Sequence, residues 1–153
     1  MGRFVLLDSG PLGLAVCRDG TKGLADFNTR LVELELAGVA ILIPAVIDYE
    51  LRRELVRIGA KTKLRKLEGL QERFSTLRVS DAAWLRAAEF WALTRRMGVP
   101  TGSDASLDAD AILAGCAVTV GRPGDVVVVA SSNVRHLSRF PGVDAREWSS
   151  IQA

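Results

Sequence analysis

Apolar residues fall along this chain in two alternating patterns: short unbroken runs, and longer stretches in which they return every three or four positions. The runs RFVLL (3–7), VAILIP (39–44) and DVVVVA (125–130) are continuously apolar and bounded by turn residues, which predicts strands buried on both faces. STLRVS (75–80) is a weaker fourth candidate. Between the runs, Leu24, Phe27, Leu31 and Leu34 recur at helical spacing. So do Ile47, Leu51, Leu55 and Ile58, and then Leu64, Leu67, Leu70 and Phe74. Asp81 is expected to cap a helix carrying Trp84, Ala88 and Trp91 that ends near Gly98 and Pro100. Ile112, Leu113, Cys116, Ala117 and Val120 make the clearest amphipathic helix, stopped by Gly121 and Pro123. DSGPLG (8–13) and TGSDAS (101–106) read as loops.

Continuously apolar strands that alternate with helices predict a parallel sheet covered on both faces. No repeat, linker or low-complexity tract interrupts the pattern, so a single α/β sandwich over 1–153 is expected. The apolar fraction of 48% and the charged fraction of 25% are those of a globular chain. A net charge of +2 gives no strong overall field toward nucleic acid or membrane. The longest apolar run, VAILIPAVI (39–47), is too short to span a bilayer. The first ten residues carry no signal-peptide pattern, and the residues after Gly2 make no myristoylation signal. Cys17 and Cys116 stand alone, without metal-ligand spacing, and Cys116 falls on an apolar helix face. A cytoplasmic protein without membrane contact is expected.

Ligand sites of open parallel sheets lie beyond the carboxyl ends of the strands. Asp8 ends the first strand there, Glu50 opens the helix after the second, and SSN (131–133) comes directly after the last strong strand. Asp110 stands in the expected first turn of the helix leading into that strand, which also starts at the carboxyl rim. Each acid has an ordinary alternative: Asp8 as a turn former, Glu50 on a solvated face with Arg53, Glu54 and Arg57, Asp110 as a helix-dipole partner. Asp108 is placed as a helix N-cap and Asp104 in the loop before it. Gathered together, Asp8, Glu50 and Asp110 repel and raise one another's pKa, a conflict that a divalent cation removes. Mg²⁺ and Mn²⁺ prefer such hard oxygen donors, and the ion would activate water for displacement at a phosphodiester.

FVLLDSGPLG, IPAVIDYELRREL, DADAILAGCA and VVVVASSNVRHLSRF together resemble the PIN-domain family of metal-dependent ribonucleases, in order and over nearly the whole chain. The resemblance implies a three-layer α/β/α sandwich with a central parallel sheet and an acidic pocket for Mg²⁺ or Mn²⁺. It implies Asp8, Glu50 and Asp110 as the catalytic, metal-ligating acids, with Asp108 as a weaker ligand. The fourth position falls in SSN, where Ser132 or Asn133 brings no charge and serves as an auxiliary hydrogen-bonding group. Asp8→Ala is expected to abolish turnover and leave the fold intact. RNA is the implied substrate, and a toxin–antitoxin role, a small antitoxin partner and a homodimer are implied with it.

Eight basic residues against three acids lie between Arg52 and Arg73, which offers a path for a phosphate backbone, or only a solvated face. Arg52, Arg53 and Arg135 are the RNA-contact candidates. His136 is the only histidine, so acid–base chemistry by two histidines is excluded. Trp84 and Trp91, seven residues apart, read as core or as a dimer seam before a base-stacking platform. The competing function is a non-catalytic PIN-like module that binds RNA or protein through a weakened metal site. No Walker loop, zincin motif or nucleophile elbow is present, and Gly10 stands where a haloacid-dehalogenase-like enzyme needs a second aspartate.

Overall fold

The structure is a computed structural model that describes residues 1–98 and 103–153. Five parallel strands form one sheet in the order β3-β2-β1-β4-β5, flanked by helices. They are β1 (Arg3–Leu7), β2 (Ala40–Pro44), β3 (Ser75–Leu77), β4 (Val126–Ala130) and β5 (Ala145–Arg146). β1, β2 and β4 are the three continuous runs, and their carboxyl halves are fully covered. Leu6, Ile43 and Val129 are all at 0% exposure, as a strand between two helical layers requires. β5 was not expected, since two residues carry no periodicity, and it extends the sheet through Val129↔Ala145.

The helices are α1 (Ser9–Ala15), α2 (Leu24–Leu36), α3 (Ala45–Arg57), α4 (Lys61–Arg73), α5 (Asp81–Arg96), α6 (Asp104–Thr119) and α7 (Val134–Leu137). α2 buries Leu24, Phe27, Leu31 and Leu34, the stripe its spacing predicts. The expected loop DSGPLG is instead the start of α1, because Asp8 caps it and Pro11 fits its first turn. Asp81 is the first residue of α5; the cap is Ser80, whose hydroxyl accepts from the amide of Ala83 at 3.1 Å.

The largest difference lies in α6. It starts four residues before Asp108, so the stretch from Asp104 onward is helix and not loop. Ser103 caps it by accepting from the amide of Ser106 at 3.2 Å. Asp108 is therefore not an N-cap, and the side chain of Asp104 lies outside the described residues. The polar first turn gave no apolar rhythm to announce it. Beyond that turn, Leu107, Ala111, Leu113, Ala114 and Cys116 are buried. α5 packs on α6 at close range: a Cβ added at Gly115 would stand 2.5 Å from the Ala83 carbonyl oxygen. The α5 residues turned inward are Ala83, Ala87, Phe90 and Thr94. Trp84 and Trp91 lie outside that face, which corrects the reading of them as core.

Candidate metal site at the carboxyl rim

Strand order reverses between β1 and β4, so the crevice beyond their carboxyl ends is the switch point where α/β sheets bind ligands. The β1–β4 register runs through Leu7↔Ala130, and the Asp8 amide donates to the Ala130 carbonyl at 2.9 Å. The next residue on each strand is thereby fixed: Asp8 on one side, Ser131 on the other. Ser131 Oγ donates to Asp8 Oδ2 at 2.6 Å and accepts from the Asn133 amide at 2.8 Å. Asp8 Oδ1 accepts from the Ser9 amide at 2.7 Å as the N-cap of α1. Both oxygens of this buried carboxylate are thus held in fixed directions.

α3 starts directly from β2, with Pro44 as its N-cap, and carries Glu50 back over the rim. Burial raises the Glu50 pKa, the charge of Asp8 raises it further, and Arg53 opposes the shift. α6 brings in Asp110, half-buried. Its pKa is raised from 3.8 to about 6 by burial first, then by Asp8 and Glu50, with Arg139 pulling the other way. Asp8, Glu50 and Asp110 therefore share one electrostatic field, as their placement on the rim requires. Among the described residues, no three His, Cys, Asp or Glu side chains already stand as a closed metal cage. The donor set suits Mg²⁺ or Mn²⁺: oxygen atoms only, from acids whose mutual repulsion one divalent charge relieves.

The remaining candidates separate. Asp108 is exposed on α6 and lines a surface groove with Trp84 and Ile112. Ser132 and Asn133 are exposed, and the group bonded to Asp8 is Ser131, at 0% exposure. The strand-end register decides this: side chains alternate along an extended chain, and position 131 points inward toward β1. Ser132 instead leans over Gly10, where an added Cβ would clash with its Oγ. Arg52 is held in a two-pronged pair with Asp48, at 3.0 and 3.1 Å, and bonds Gln71 at 3.0 Å. It is not a free RNA contact. Arg53 is exposed beside Glu50, and Arg135 is exposed on α7. Arg139, in the field of Asp110, was not singled out from the sequence; it bonds the His136 carbonyl at 3.2 Å. Asp8 is also structural, through its cap and the Ser131 bond, so Asp8→Ala is expected to cost stability as well as activity.

No protein-family model and no curated protein matches the chain. Solved structures do. The crystal structure of VapBC2 from Rickettsia felis bound to a DNA fragment from its promoter contains a chain similar to this one, with TM-score 0.76 at 16% identity. The match covers 95% of this chain and 98% of that one. DNA-bound VapBC from Salmonella typhimurium gives 0.68 at 23% identity over 97% and 99% of the two chains. VapBC-1 from nontypeable Haemophilus influenzae gives 0.70 at 19% over 96% and 99%. The architecture is thus an α/β sandwich with the PIN-like fold that the sequence resemblance implied. Among the described residues no helix is long and apolar enough to cross a membrane.

Proposed function

We propose that this chain is a divalent-metal-dependent endoribonuclease of the PIN-domain kind, acting as the toxin of a toxin–antitoxin pair. The observation that carries the reading is the shared field of Asp8, Glu50 and Asp110 at the β1/β4 switch point, with Asp110 raised to about 6. The whole chain, 1–153, works as one PIN-like domain in this reading, on RNA in the cytoplasm. The neighbouring folds belong to VapBC complexes, two of them bound to DNA, which supports a small antitoxin partner for this chain as well.

Asp8 and Asp110 would hold Mg²⁺ or Mn²⁺, with Glu50 as a third oxygen donor. A bound divalent ion supplies an activated water and neutralises charge on the phosphodiester. Asp8 keeps its orientation through Ser131 and the α1 cap, so its free lone pairs face the rim without rotamer loss. Ionised Glu50 can accept a proton from an attacking water. Arg139, near Asp110, is suited to a substrate phosphate oxygen. Asp108, Ser132 and Asn133 are left with supporting roles at most. Homodimerisation belongs to the same reading, and its check is the solution mass by light scattering.

A non-catalytic binding module is the second reading. The uncharged SSN position and the lack of a closed three-acid cage among the described residues favour it. RNA cleavage with Mn²⁺, with EDTA, and with Asp8→Asn separates the two. The nuclease reading expects product with Mn²⁺ alone. Cleavage surviving EDTA and Asp8→Asn would reject it, and binding without cleavage would favour the module.

A further inference from the structure

A cavity of about 890 Å³ opens at the amino end of β4, at the other end of the sheet from the acidic rim. α5, the carboxyl end of α6, the turn into β4 and the β4–β5 connection border it, and Asp8, Glu50 and Asp110 do not. Its floor is apolar. Phe90 is buried there against the Phe140 ring, 5.3 Å away between centroids. Leu93, Val118 and Val127 are half-buried around it. The volume lies within the range of about 300–1,000 Å³ in which proteins seat small organic ligands. Such sites combine apolar walls with a few charged groups that orient the ligand.

The charged groups at its mouth divide into engaged and unengaged. Glu89 accepts from Arg86 at 2.9 Å, and Asp144 accepts from Arg146 through two bonds, of 3.0 and 2.8 Å. Asp125 accepts from the amides of Arg122 and Gly2 at 2.8 and 2.6 Å, and these bonds hold its carboxyl below the usual carboxylate range. The three acids that line the cavity are thereby satisfied. The Arg96 guanidinium has no ion pair among the described residues, and that of Arg122 lies in the field of Asp125 without pairing to it. The turn also fixes Arg122 in place. Pro123 and Gly124, at φ 94°, reverse the chain, and the Asp125 amide closes the turn on the Arg122 carbonyl at 2.9 Å. The charge left over at the cavity is positive, above an apolar floor.

We infer that this cavity is a second ligand site, which takes a small organic anion: an apolar ring system seated on Phe90 and Leu93, with a phosphate, sulfonate or carboxylate turned toward Arg96 and Arg122. An inorganic anion alone would leave the apolar floor in water, and a neutral ring would leave the two guanidinium groups unmatched. Guanidinium groups meet such oxyanions with paired N–H donors, so charge and geometry select the same class. No group of the metal site takes part. The inference stands or falls independently of the ribonuclease reading.

The probe is 8-anilinonaphthalene-1-sulfonate, an apolar ring system with one sulfonate, titrated into the folded full chain and followed by its fluorescence. N-phenyl-1-naphthylamine, the same body without the charge, is titrated alongside. Saturable binding of the sulfonate is expected, about tenfold tighter than that of the neutral analogue. Arg96→Gln combined with Arg122→Gln should remove that preference, and Lys at both positions should retain most of it. Both arginines are exposed, so the variants are expected to fold, which circular dichroism and the thermal midpoint check. Asp8→Asn should leave the probe affinity unchanged. Equal affinity of the wild type and the double Gln variant, or of the two probes, would overturn the site. So would loss of binding in folded Trp84→Ala, which would put the probe in the groove between α5 and α6 instead. A double variant that falls from dimer to monomer in light scattering, with probe affinity unchanged, would reassign the face to a second copy of the chain.

Discussion

The chain carries two concentrations of charge, built in opposite ways. At the β1/β4 rim, Asp8, Glu50 and Asp110 are held in one another's field, and Asp110 is pushed up to about 6. On α3 and α4 half of the eight cations are engaged in ion pairs. Arg52 pairs with Asp48, Arg57 with Glu54, Arg73 with Glu35 and Lys66 with Asp19. The basic stretch is the more conspicuous in sequence, yet much of its field is spent locally. The acidic rim is sparse in sequence and unrelieved in space. Unrelieved repulsion, rather than residue count, marks where a ligand of opposite charge is needed.

Neutralising one member of each cluster should separate them most sharply. Asp8→Asn is expected to lower RNA cleavage in Mn²⁺ about a hundredfold or more, and Arg57→Ala to change it less than twofold. Initial rates on one RNA check both; equal losses would erase the distinction. Asp8→Ala tests the structural half of the rim. It removes the α1 cap and leaves the Ser131 hydroxyl and the Ser9 amide without their acceptor, at a cost of about 1–3 kcal/mol in urea unfolding. No loss would mean that the cap and the Ser131 bond contribute nothing.

Asp110 gives a smaller and pH-dependent effect. Its folded pKa is raised above the ordinary value, so the ionised form is penalised only in the folded chain. Below about pH 4 both states are protonated and the penalty is absent; it grows through about pH 4–6 and is complete above that. Asp110→Asn should therefore raise the thermal midpoint at about pH 7.5 and leave it nearly unchanged at about pH 3.5. A rise of equal size at both would point to better packing instead of relieved charge. The smallest effect is expected at Arg52. Arg52→Ala should cost about 1 kcal/mol of stability through the Asp48 pair, with RNA affinity unaltered, whereas Arg53→Ala lowers affinity a few-fold. Unfolding and anisotropy titrations together distinguish the two.

The same contrast explains what the sequence could and could not disclose. β1, β2 and β4 are legible because burial on both faces demands unbroken apolar runs, and Asp8 is legible because it ends one of them. Glu50 and Asp110 come into place once the helices are attached to a parallel sheet. The start of α6 was hidden, because its first turn is solvated and carries no apolar period. Ser131 lies within SSN, yet Ser132 and Asn133 are the members of that triplet which the sequence alone put forward. Only the β1–β4 register says which of three small polar residues turns inward. α7 and β5 span four and two residues, too few for any period. Half of the state of Arg52 is legible, since Asp48 stands four positions before it on one helix, but its second partner Gln71 comes from the neighbouring helix, nineteen positions away.

The central claim is that Asp8, Glu50 and Asp110 form one divalent-cation site. Calorimetric titration of the chain with Mn²⁺ at about pH 7.5 tests it most directly, with Asp8→Asn and Asp110→Asn alongside. Saturable binding by the wild type is predicted, released by EDTA and weakened about tenfold or more in each variant. Mn²⁺ binding of equal affinity in all three proteins, or none in the wild type, would contradict it.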